Sequence, residues 1–358
     1  MTAPLGFALI GTGSVAATHA QALRRVDGAR LVAAWSPDPG RCASFAASHG
    51  IDASEELVAL VARDDVDVVC VTTPSGLHAE SALVALAAGK HVVCEKPIEV
   101  RQERIDAMIA MARRHRRHIA CVFQNRFAPG AQALKAAVDA GRFGHLALCQ
   151  AMTNWWRGDD YYRNGAWRGT WALDGGGALM NQGIHGVDLL QWLVGMPSEV
   201  LARTARCAHH AIEVEDTAVA ALRFAHGALG SIQASTASWP GFSRRIEISG
   251  DRGCAVLEDD RIVRWDFMDE EPGDADLRAL AGRSASAGPS GNAQAVAGDG
   301  HRRQLQDVVD ALREGRAPSI GPEEARASVR IVQAIYESAR SGALVRIDPS
   351  PATLHAQA

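Results

Sequence analysis

The first 25 residues constrain the fold most, because an apolar run, a glycine-containing turn and a helix-forming run follow each other there. Residues 5–10 are apolar, residues 11–16 read GTGSVA, and residues 17–25 suit a helix. In such a unit the glycines let the backbone approach a pyrophosphate, and the helix offers unpaired N–H groups and a positive dipole end. The sequence therefore predicts a dinucleotide site. The residues expected around the phosphates are Gly11, Gly13, Ser14 and Val15.

A second predicted strand, residues 30–35, ends where dinucleotide folds usually present a carboxylate to the adenosine ribose. Ser36 stands there instead, and a serine has no charge that would repel a 2′-phosphate. Arg41 lies within one turn of the following helix, so NADP is allowed and NAD is not excluded. Asp38 either replaces the missing carboxylate or caps that helix.

Further apolar stretches at residues 66–72, 91–94 and 119–123 alternate with helical segments, which is typical of a doubly wound parallel sheet. Such sheets bind ligands at the carboxyl ends of their strands. Lys96 precedes a proline, so its backbone is stiff, and a cis Lys96–Pro97 bond is allowed. The residues expected to bind the cofactor at these ends are Thr73, Pro74, His78, Glu95, Lys96 and Gln124.

The alternation stops after residue 123, and strands with two-residue periodicity follow at 146–155, 212–224, 228–238, 244–249 and 253–258. The predicted fold class is α/β, with a Rossmann domain at residues 1–123 and an α+β domain with an open, mainly antiparallel sheet at 124–348. We expect this second domain to bind substrate and to form a homodimer or homotetramer through residues 218–238. Residues 274–300 suggest a flexible loop, helices are expected at 301–314 and 322–341, a last strand at 343–347, and a tail at 349–358.

Three consecutive glycines, residues 175–177, lead into a predicted helix that carries Asn181 and then His185. Residues four apart share one face of a helix, so both side chains can point into one cleft. Asp188, three positions further on, is expected to reach the same imidazole. A lone histidine beside apolar residues is often an ordinary core residue, but the glycines favour a close approach to a ligand.

The segment 155–171 holds four of the eight tryptophans and two of the three tyrosines, so its aromatic content is far above that of the rest of the chain. Side chains of Trp, Tyr and Arg suit stacking on a sugar ring or base and pairing with phosphate or carboxylate. The alternative is a structural plug packed against the sheet. The residues expected to bind substrate are Arg126, Tyr161, Trp167, Arg168, Asn181 and His185.

Composition excludes several classes of protein. The net charge is −4 and the basic residues form no stripe, so nucleic acid is not an expected partner. The seven cysteines are spread singly, no metal-binding motif occurs, and no apolar run is long enough to span a bilayer. We expect a cytoplasmic protein with reduced thiols, no metal and no membrane partner.

These motifs together resemble the Gfo/Idh/MocA family of NAD(P)-dependent sugar and cyclitol dehydrogenases across nearly the whole chain. The resemblance rests on the GTGSVA turn, on Glu95-Lys96-Pro97, and on the glycine-rich helix with its Asn181/His185 pair. It implies that Lys96 and His185 are catalytic residues beside the nicotinamide. The family more often has an aspartate where this chain has Asn181. The proton of the substrate hydroxyl would therefore pass to His185 or Lys96, while Asn181 orients that hydroxyl.

The resemblance implies a hydride transfer between the nicotinamide and a secondary hydroxyl of a sugar, sugar nucleotide or cyclitol. The segments 124–126, 167–171, 180–182 and 213–216 look most like the branch that oxidises UDP-N-acetylglucosaminuronate at the 3-position. The alternatives are an inositol or glucoside 3-dehydrogenase, an NAD-dependent glycosidase that oxidises its substrate transiently, and a non-catalytic regulator. The last would be expected to lack Lys96 or His185, and both are present.

Overall fold

The computed structural model describes residues 3–281 and 293–348, which form two compact units. Within the described residues the first unit comprises 3–124, 172–175 and 293–326, and the second comprises 125–171, 176–281 and 327–348. The first break, after Gln124, is one residue from the predicted boundary. The predicted division into contiguous domains is nevertheless wrong, because the chain returns twice to the first unit.

The first unit is built on a six-stranded parallel sheet with the strand order β3-β2-β1-β4-β5-β6. This is the doubly wound arrangement that the alternation predicts. Short 3₁₀ turns at Ser75–Leu77 and Gln124–Phe127 follow two of the strand ends. The strands and helices are β1 (Leu5–Ile10), α1 (Ser14–Leu23), β2 (Ala29–Trp35), α2 (Pro39–His49), β3 (Asp52–Ala53), α3 (Leu57–Ala62), β4 (Val68–Val71), α4 (His78–Ala87), β5 (His91–Cys94), α5 (Gln102–His115) and β6 (Ile119–Cys121).

The second unit is built on an eight-stranded sheet with the order β13-β12-β11-β7-β10-β9-β8-β14. All neighbouring strands are antiparallel except β7 and β10, which run parallel. The elements after β6, including two helices that begin in the first unit, are α6 (Pro129–Asp139), β7 (Leu146–Asn154), α7 (Asp159–Arg163), α8 (Ile184–Val194), β8 (Pro197–Ala205), β9 (Thr217–Phe224), β10 (Leu229–Ser235), β11 (Arg245–Gly250), β12 (Gly253–Glu258), β13 (Arg261–Phe267), α9 (Asp274–Ala281), α10 (Ala293–Glu314), α11 (Pro322–Ser341) and β14 (Val345–Arg346).

Helix α10 belongs to the first unit because its apolar face completes the core there. Leu305, Val308 and Val309 are buried in one cluster with Phe7 and Leu23. The helix begins at Ala293, so the predicted start at residue 301 is too late.

Several sequence predictions for the second unit need correction. Strands β8 and β13 were not predicted, and β9 begins at Thr217 rather than at residue 212. Residues 212–216 leave the sheet because Glu215 and Asp216 turn their carboxylates to backbone N–H groups of other segments. The predicted loop at 274–300 contains α9 and the first turns of α10, while residues 282–292 and the predicted tail lie outside the described residues.

Two properties predicted from composition can be compared with the structure. All seven cysteines fall within the described ranges, and none of them forms a disulfide there, as expected. Over residues 3–281 and 293–348, no helix combines the length and the apolar character needed to cross a bilayer.

Candidate active site

The glycine turn after β1 has the geometry that a dinucleotide requires. Gly11 has φ +97°, and a Cβ there would lie 2.8 Å from the carbonyl oxygen of Thr72. Gly13 is the N-cap of α1, no side chain caps that helix, and a Cβ at Gly13 would meet no atom within 4 Å. No side chain therefore occupies the N-terminus of α1, and N–H groups there, such as those of Ser14 and Val15, are of the kind that binds a phosphate.

Three buried polar atoms at strand ends of the first unit have no hydrogen-bond partner among the described residues. They are Oγ1 of Thr12 after β1, Oγ1 of Thr73 after β4 and Oε1 of Gln124 after β6. A buried polar atom without a partner costs roughly 1–3 kcal/mol, which a ligand's polar groups would offset. The set includes two of the residues predicted to bind the cofactor, Thr73 and Gln124, and offers polar atoms to a ligand with hydroxyl, phosphate and amide groups.

The predicted ribose end of the site lies at the carboxyl end of β2. Ser36 is buried there, and Arg41 is exposed in the first turn of α2. Asp38 Oδ1 accepts a hydrogen bond of 3.0 Å from the Arg41 backbone N–H, so Asp38 is the N-cap of α2. Of the two roles considered for Asp38, the structure supports the cap.

Glu95 is buried and holds the backbone of Lys96. Its Oε1 is 2.8 Å from Nε2 of His19 and 3.6 Å from Nε2 of His301, and its Oε2 accepts the Lys96 backbone N–H at 3.1 Å. Burial opposes ionisation, yet the interactions with His19 and then His301 hold the pKa of Glu95 well below its usual range. Burial lowers the pKa of His19, so a neutral imidazole donates to a carboxylate. Glu95 thus positions Lys96, whose side chain is half-buried and whose bond to Pro97 is cis.

His19, Glu95 and His301 also form a group with the right ligand types for a metal ion, because their ligand atoms lie within 4.8 Å of one another. Two observations favour hydrogen bonding instead. The His19–Glu95 separation of 2.8 Å is that of a hydrogen bond. A metal-binding histidine usually donates its other ring N–H, whereas Nδ1 of His19 has no partner among the described residues.

His78 lies between two loops rather than on an open surface. It is 1% exposed, with Nδ1 2.8 Å from the carbonyl oxygen of Pro97 and Nε2 2.9 Å from that of Thr73. Burial lowers its pKa. The geometry therefore favours a structural role for His78, in which the imidazole joins the loops after β4 and β5, over a direct contact with the cofactor. Pro74 is half-buried in the first of these loops.

In the second unit, Asn181 and His185 are set apart from their neighbours by exposure. Every residue from 176 to 190 is buried except these two, which are half-buried. Residues Ala178–Gly183 form a π-helix that continues into α8. The prediction of a single α-helix over this segment is therefore wrong. Single π-turns are frequent at functional sites. This one carries Asn181, and His185 follows in the first turn of α8.

Asp188 does not have the predicted role. Its two oxygens accept bonds of 2.8 and 2.7 Å from Arg126 Nε and Nη2, and Oδ1 accepts a bond of 3.0 Å from the Ser328 hydroxyl. Arg126 and Asp188 are both almost fully buried. The prediction that Asp188 orients His185 is therefore wrong. Arg126, predicted to bind substrate, forms a buried structural ion pair because its guanidinium is engaged by Asp188.

Glu215 holds the start of the π-helix. Its Oε2 accepts the Gly177 N–H at 3.0 Å, and its Oε1 accepts the Leu179 N–H at 2.9 Å and the Tyr336 hydroxyl at 3.0 Å. Only glycine fits at position 177, because a Cβ there would lie 1.7 Å from the carbonyl oxygen of Glu215. Burial raises the pKa of Glu215 to about 7, against the hydrogen bonds that favour its ionised form.

The aromatic segment is partly tied to the protein and partly open. The guanidinium of Arg168 lies 4.3 Å from the ring centroid of Tyr161 and 5.6 Å from that of Trp167, and its Nη1 donates to the Tyr161 carbonyl at 3.0 Å. The Tyr161 hydroxyl accepts a bond of 2.9 Å from Gln182 Nε2, next to Asn181. Trp167 is half-buried.

A cleft of about 540 Å³ opens on one side of this segment. It brings Arg168 together with residues of the loop before β9 but does not include Tyr161 or Trp167. Among the residues lining the cleft are Tyr162, Arg168, Thr170, His209, Ile212 and Glu213. Residues 155–171 therefore show both features that were considered for them: aromatic side chains that pack within the protein, and a surface that is open to a ligand.

Sequence reasoning missed His19, His301, Glu215 and Tyr336. Glu215 lies in a segment that contributed to the family resemblance, but nothing in its local sequence or in that of Tyr336 indicates burial. His19 and His301 come from helices far apart in the chain, and only the fold brings them to Glu95.

Comparisons with known proteins agree with this geometry. Residues 5–123 match a family model described as an oxidoreductase family with an NAD-binding Rossmann fold, and residues 131–256 match the GFO/IDH/MocA C-terminal domain. The WlbA dehydrogenase from Bordetella pertussis, solved in complex with NADH and UDP-GlcNAcA, is 34% identical. That comparison covers 98% of this chain and 99% of the other, with a TM-score of 0.90.

Two further relatives cover nearly the whole chain. WlbA from Chromobacterium violaceum, solved with the same two ligands, is 32% identical over 98% of each chain, with a TM-score of 0.87. The inositol 2-dehydrogenase of Pseudomonas fluorescens is 29% identical over 96% of each chain. The predicted α/β fold class and oxidoreductase activity are confirmed, and of the two cofactors considered, NAD and NADP, the comparisons support NAD. The chain belongs to the Gfo/Idh/MocA family of NAD-binding oxidoreductases.

Proposed function

We propose that this enzyme oxidises the 3-hydroxyl of UDP-N-acetylglucosaminuronate with NAD. The observation that carries the proposal is the exposure of Asn181 and His185 alone in an otherwise buried segment. Similarity to two dehydrogenases solved with NADH and UDP-GlcNAcA supports the choice of substrate. The aromatic and arginine side chains of the 155–171 segment suit a ligand with rings and phosphates.

His185 is the proposed base that accepts the hydroxyl proton, since an imidazole titrates near neutral pH. Asn181 carries an amide that can orient the substrate hydroxyl but cannot take its proton. Lys96 is the proposed cation that stabilises the developing alkoxide, and its backbone N–H is held by Glu95. When bound, the nicotinamide ring accepts the hydride.

The first unit contributes the residues proposed to hold the cofactor. The N–H groups at the start of α1 would bind the pyrophosphate, with Thr12, Thr73 and Gln124 offering the polar atoms described above. Ser36 and Arg41 are proposed to lie at the adenosine ribose. Seven reduced thiols suit a reducing compartment, and the cytoplasm is the location we propose.

A homo-oligomer is proposed through the open face of the eight-stranded sheet. Leu148, Leu201, Val219 and Leu229 are 40–58% exposed on the adjacent strands β7, β8, β9 and β10. Leu148 and Leu229 are paired across two of these strands, so these two side chains form one apolar surface. A second copy of the chain would cover it. Light scattering of the wild type and of Leu229→Lys tests this: an oligomeric mass that falls in the variant is expected, and a monomeric wild type contradicts it.

A substrate panel tests the proposed activity. NADH formation should be followed with UDP-N-acetylglucosaminuronate, UDP-N-acetylglucosamine, free N-acetylglucosaminuronate and myo-inositol, each with NAD and NADP. We expect the highest kcat/KM with UDP-N-acetylglucosaminuronate and NAD. No turnover of that substrate, with turnover of another, would contradict the proposal.

Inositol oxidation is the second candidate, because an inositol 2-dehydrogenase matches nearly the whole chain at 29% identity. An inositol ring has no phosphate, so it would make no use of Arg168. If the substrate is the sugar nucleotide, Arg168→Gln should therefore lower its kcat/KM. If the enzyme oxidises inositol, the same variant should leave kcat/KM for inositol unchanged. Release of a sugar without net NADH formation would instead indicate the glycosidase alternative.

A further inference from the structure

Two glycines bring the start of α8 close to the eight-stranded sheet. A Cβ at Gly183 would lie 2.9 Å from the Cβ of Ala234 on β10, and a Cβ at Gly186 would lie 3.1 Å from Oγ1 of Thr153 on β7. Carbon atoms in ordinary contact are about 3.5–4.0 Å apart. The spacing between the helix and β10 therefore leaves no room for a side chain at position 183 unless one of the two moves.

The strands beneath the helix present small side chains at this point. Ala234 of β10 and Thr153 of β7 are partners in the strand register, and Ala151 is the next residue of β7 on the same side of the sheet. All three are buried. The short distance between helix and sheet thus depends on small residues on both elements.

The backbone conformation of Gly183 does not require glycine. Its φ of −68° and ψ of −25° are those of a right-handed helix, which alanine adopts readily. A glycine within a helix is less favourable than an alanine, because it loses more conformational freedom on folding. The space available beside Ala234, and not the backbone angles, therefore accounts for glycine at this position.

Position 183 faces away from the side of the helix that carries Asn181 and His185. Residues two apart in a helix project to nearly opposite sides, and Gly183 is two residues from each of them. The sheet lies on the Gly183 side, and the two half-buried side chains lie on the other. The distance between helix and sheet therefore determines how far Asn181 and His185 project from the sheet.

We propose that Gly183 is a positioning residue, which seats the helix on Ala234 and so fixes the positions of Asn181 and His185 relative to the substrate. The proposal rests on the proposed function, since it assumes that these two residues act on the substrate. A displacement of about 1 Å at the reacting groups can slow a reaction roughly 10²-fold. A methyl group at position 183 would cause such a displacement by pushing the helix off the sheet.

The test measures single-turnover hydride transfer per folded molecule in the wild type, in Gly183→Ala and in the double variant Gly183→Ala, Ala234→Gly. Gly183→Ala should be roughly tenfold or more slower, because the new methyl meets the Ala234 methyl. The double variant moves one methyl from the strand to the helix across the same gap. Its rate should return to within about threefold of the wild type, since the helix can then lie close to β10 again.

Ala234→Gly alone is the matched control. It removes a buried methyl without narrowing the gap, so its melting temperature should fall while its rate per folded molecule stays that of the wild type. The Kd for NAD should be unchanged in every variant, because the proposed cofactor-binding residues belong to the first unit. If Gly183→Ala does not fold, Ala234→Val narrows the same gap from the strand and should slow hydride transfer in the same way.

Two results would overturn the proposal: a Gly183→Ala protein with the wild-type rate per folded molecule, or a double variant that is as slow as Gly183→Ala. In the first case a lower melting temperature would show that the glycine serves stability alone. Failure of the proposal is separable from failure of the proposed function. An inactive His185→Ala beside a fully active Gly183→Ala rejects only the positioning role, whereas a fully active His185→Ala rejects the proposed function.

Discussion

Arg126 and Asp188 form a bidentate ion pair in the interior of the second unit, with N···O distances of 2.8 and 2.7 Å. Removing one member of such a pair leaves the other charge buried without compensation, at a cost of about 3–5 kcal/mol. Asp188→Asn should therefore lower the free energy of unfolding by an amount in this range. Urea unfolding of the wild type and the variant measures it.

The double variant Arg126→Met, Asp188→Leu supplies the control for that prediction. Replacing both partners with apolar residues of similar size removes the uncompensated charge, so much of the stability should return. If Asp188→Asn instead keeps full stability and loses only hydride transfer, the carboxylate acts on the reaction and the structural assignment of the pair is wrong.

Gly13→Val tests the cofactor site. The space beside Gly13 is open, so the variant should fold while its side chain obstructs the pyrophosphate. We expect the Kd for NAD to rise at least tenfold. Gly158→Val is the matched control, because Gly158 is also a helix N-cap with open space around its Cβ. Equal NAD affinity in the two variants would exclude the α1 N-terminus as the phosphate site.

Ser36→Asp tests the contact to the adenosine ribose. An aspartate at this position would accept bonds from the ribose hydroxyls and repel a 2′-phosphate, so the ratio of kcat/KM for NAD to that for NADP should rise. Ser48→Asp adds the same charge on an exposed position of α2 and should leave the ratio unchanged. A ratio that does not respond to Ser36→Asp means that Ser36 is not at the ribose.

The raised pKa of Glu215 predicts a pH dependence of stability. Its pKa in the folded protein, about 7, lies above its ordinary value of 4.5, so between these values the folded state binds a proton that the unfolded state has released. The stability contributed by this proton is complete below pH 4.5 and is lost as the pH rises through 7. At 1.36 kcal/mol per pKa unit it amounts to roughly 3 kcal/mol.

Glu215→Gln cannot bind that proton, so the variant should lack this part of the change in the free energy of unfolding with pH. Urea unfolding at half-unit intervals from pH 4.5 to 8 gives the difference between the two proteins. The wild type should lose more stability than the variant over this range. Parallel curves would mean that the pKa of Glu215 is not raised in the folded protein.

Local patterns in the sequence were sufficient for most of the parallel sheet of the first unit. The β1–turn–α1 motif, the apolar strands and the Lys96-Pro97 strand end all depend on residues near each other in the chain, so their positions were predicted to within a few residues. The same holds for the end of α11 at Ser341 and for the strand Gly253–Glu258.

The missed features depend on contacts between distant segments. The apolar face of α10 shows periodicity, but only the fold decides that it packs with α1 in the first unit. Helical spacing placed Asp188 near His185, yet a bidentate bond from Arg126 takes the carboxylate. The prediction that a strand begins at residue 212 is wrong, because the Glu215 carboxylate accepts hydrogen bonds from the π-helix and does not face solvent from a strand.

The central claim is that His185 takes the proton of the substrate hydroxyl, and single-turnover hydride transfer in His185→Ala tests it most directly. Enzyme, NAD and UDP-N-acetylglucosaminuronate are mixed, NADH formation is followed, and the melting temperature is measured on the same preparation. The account predicts a folded protein that binds NAD normally and transfers hydride roughly 10²- to 10⁴-fold more slowly. A His185→Ala protein with a much lower melting temperature and a normal rate per folded molecule would contradict it, since His185 would then be a core residue.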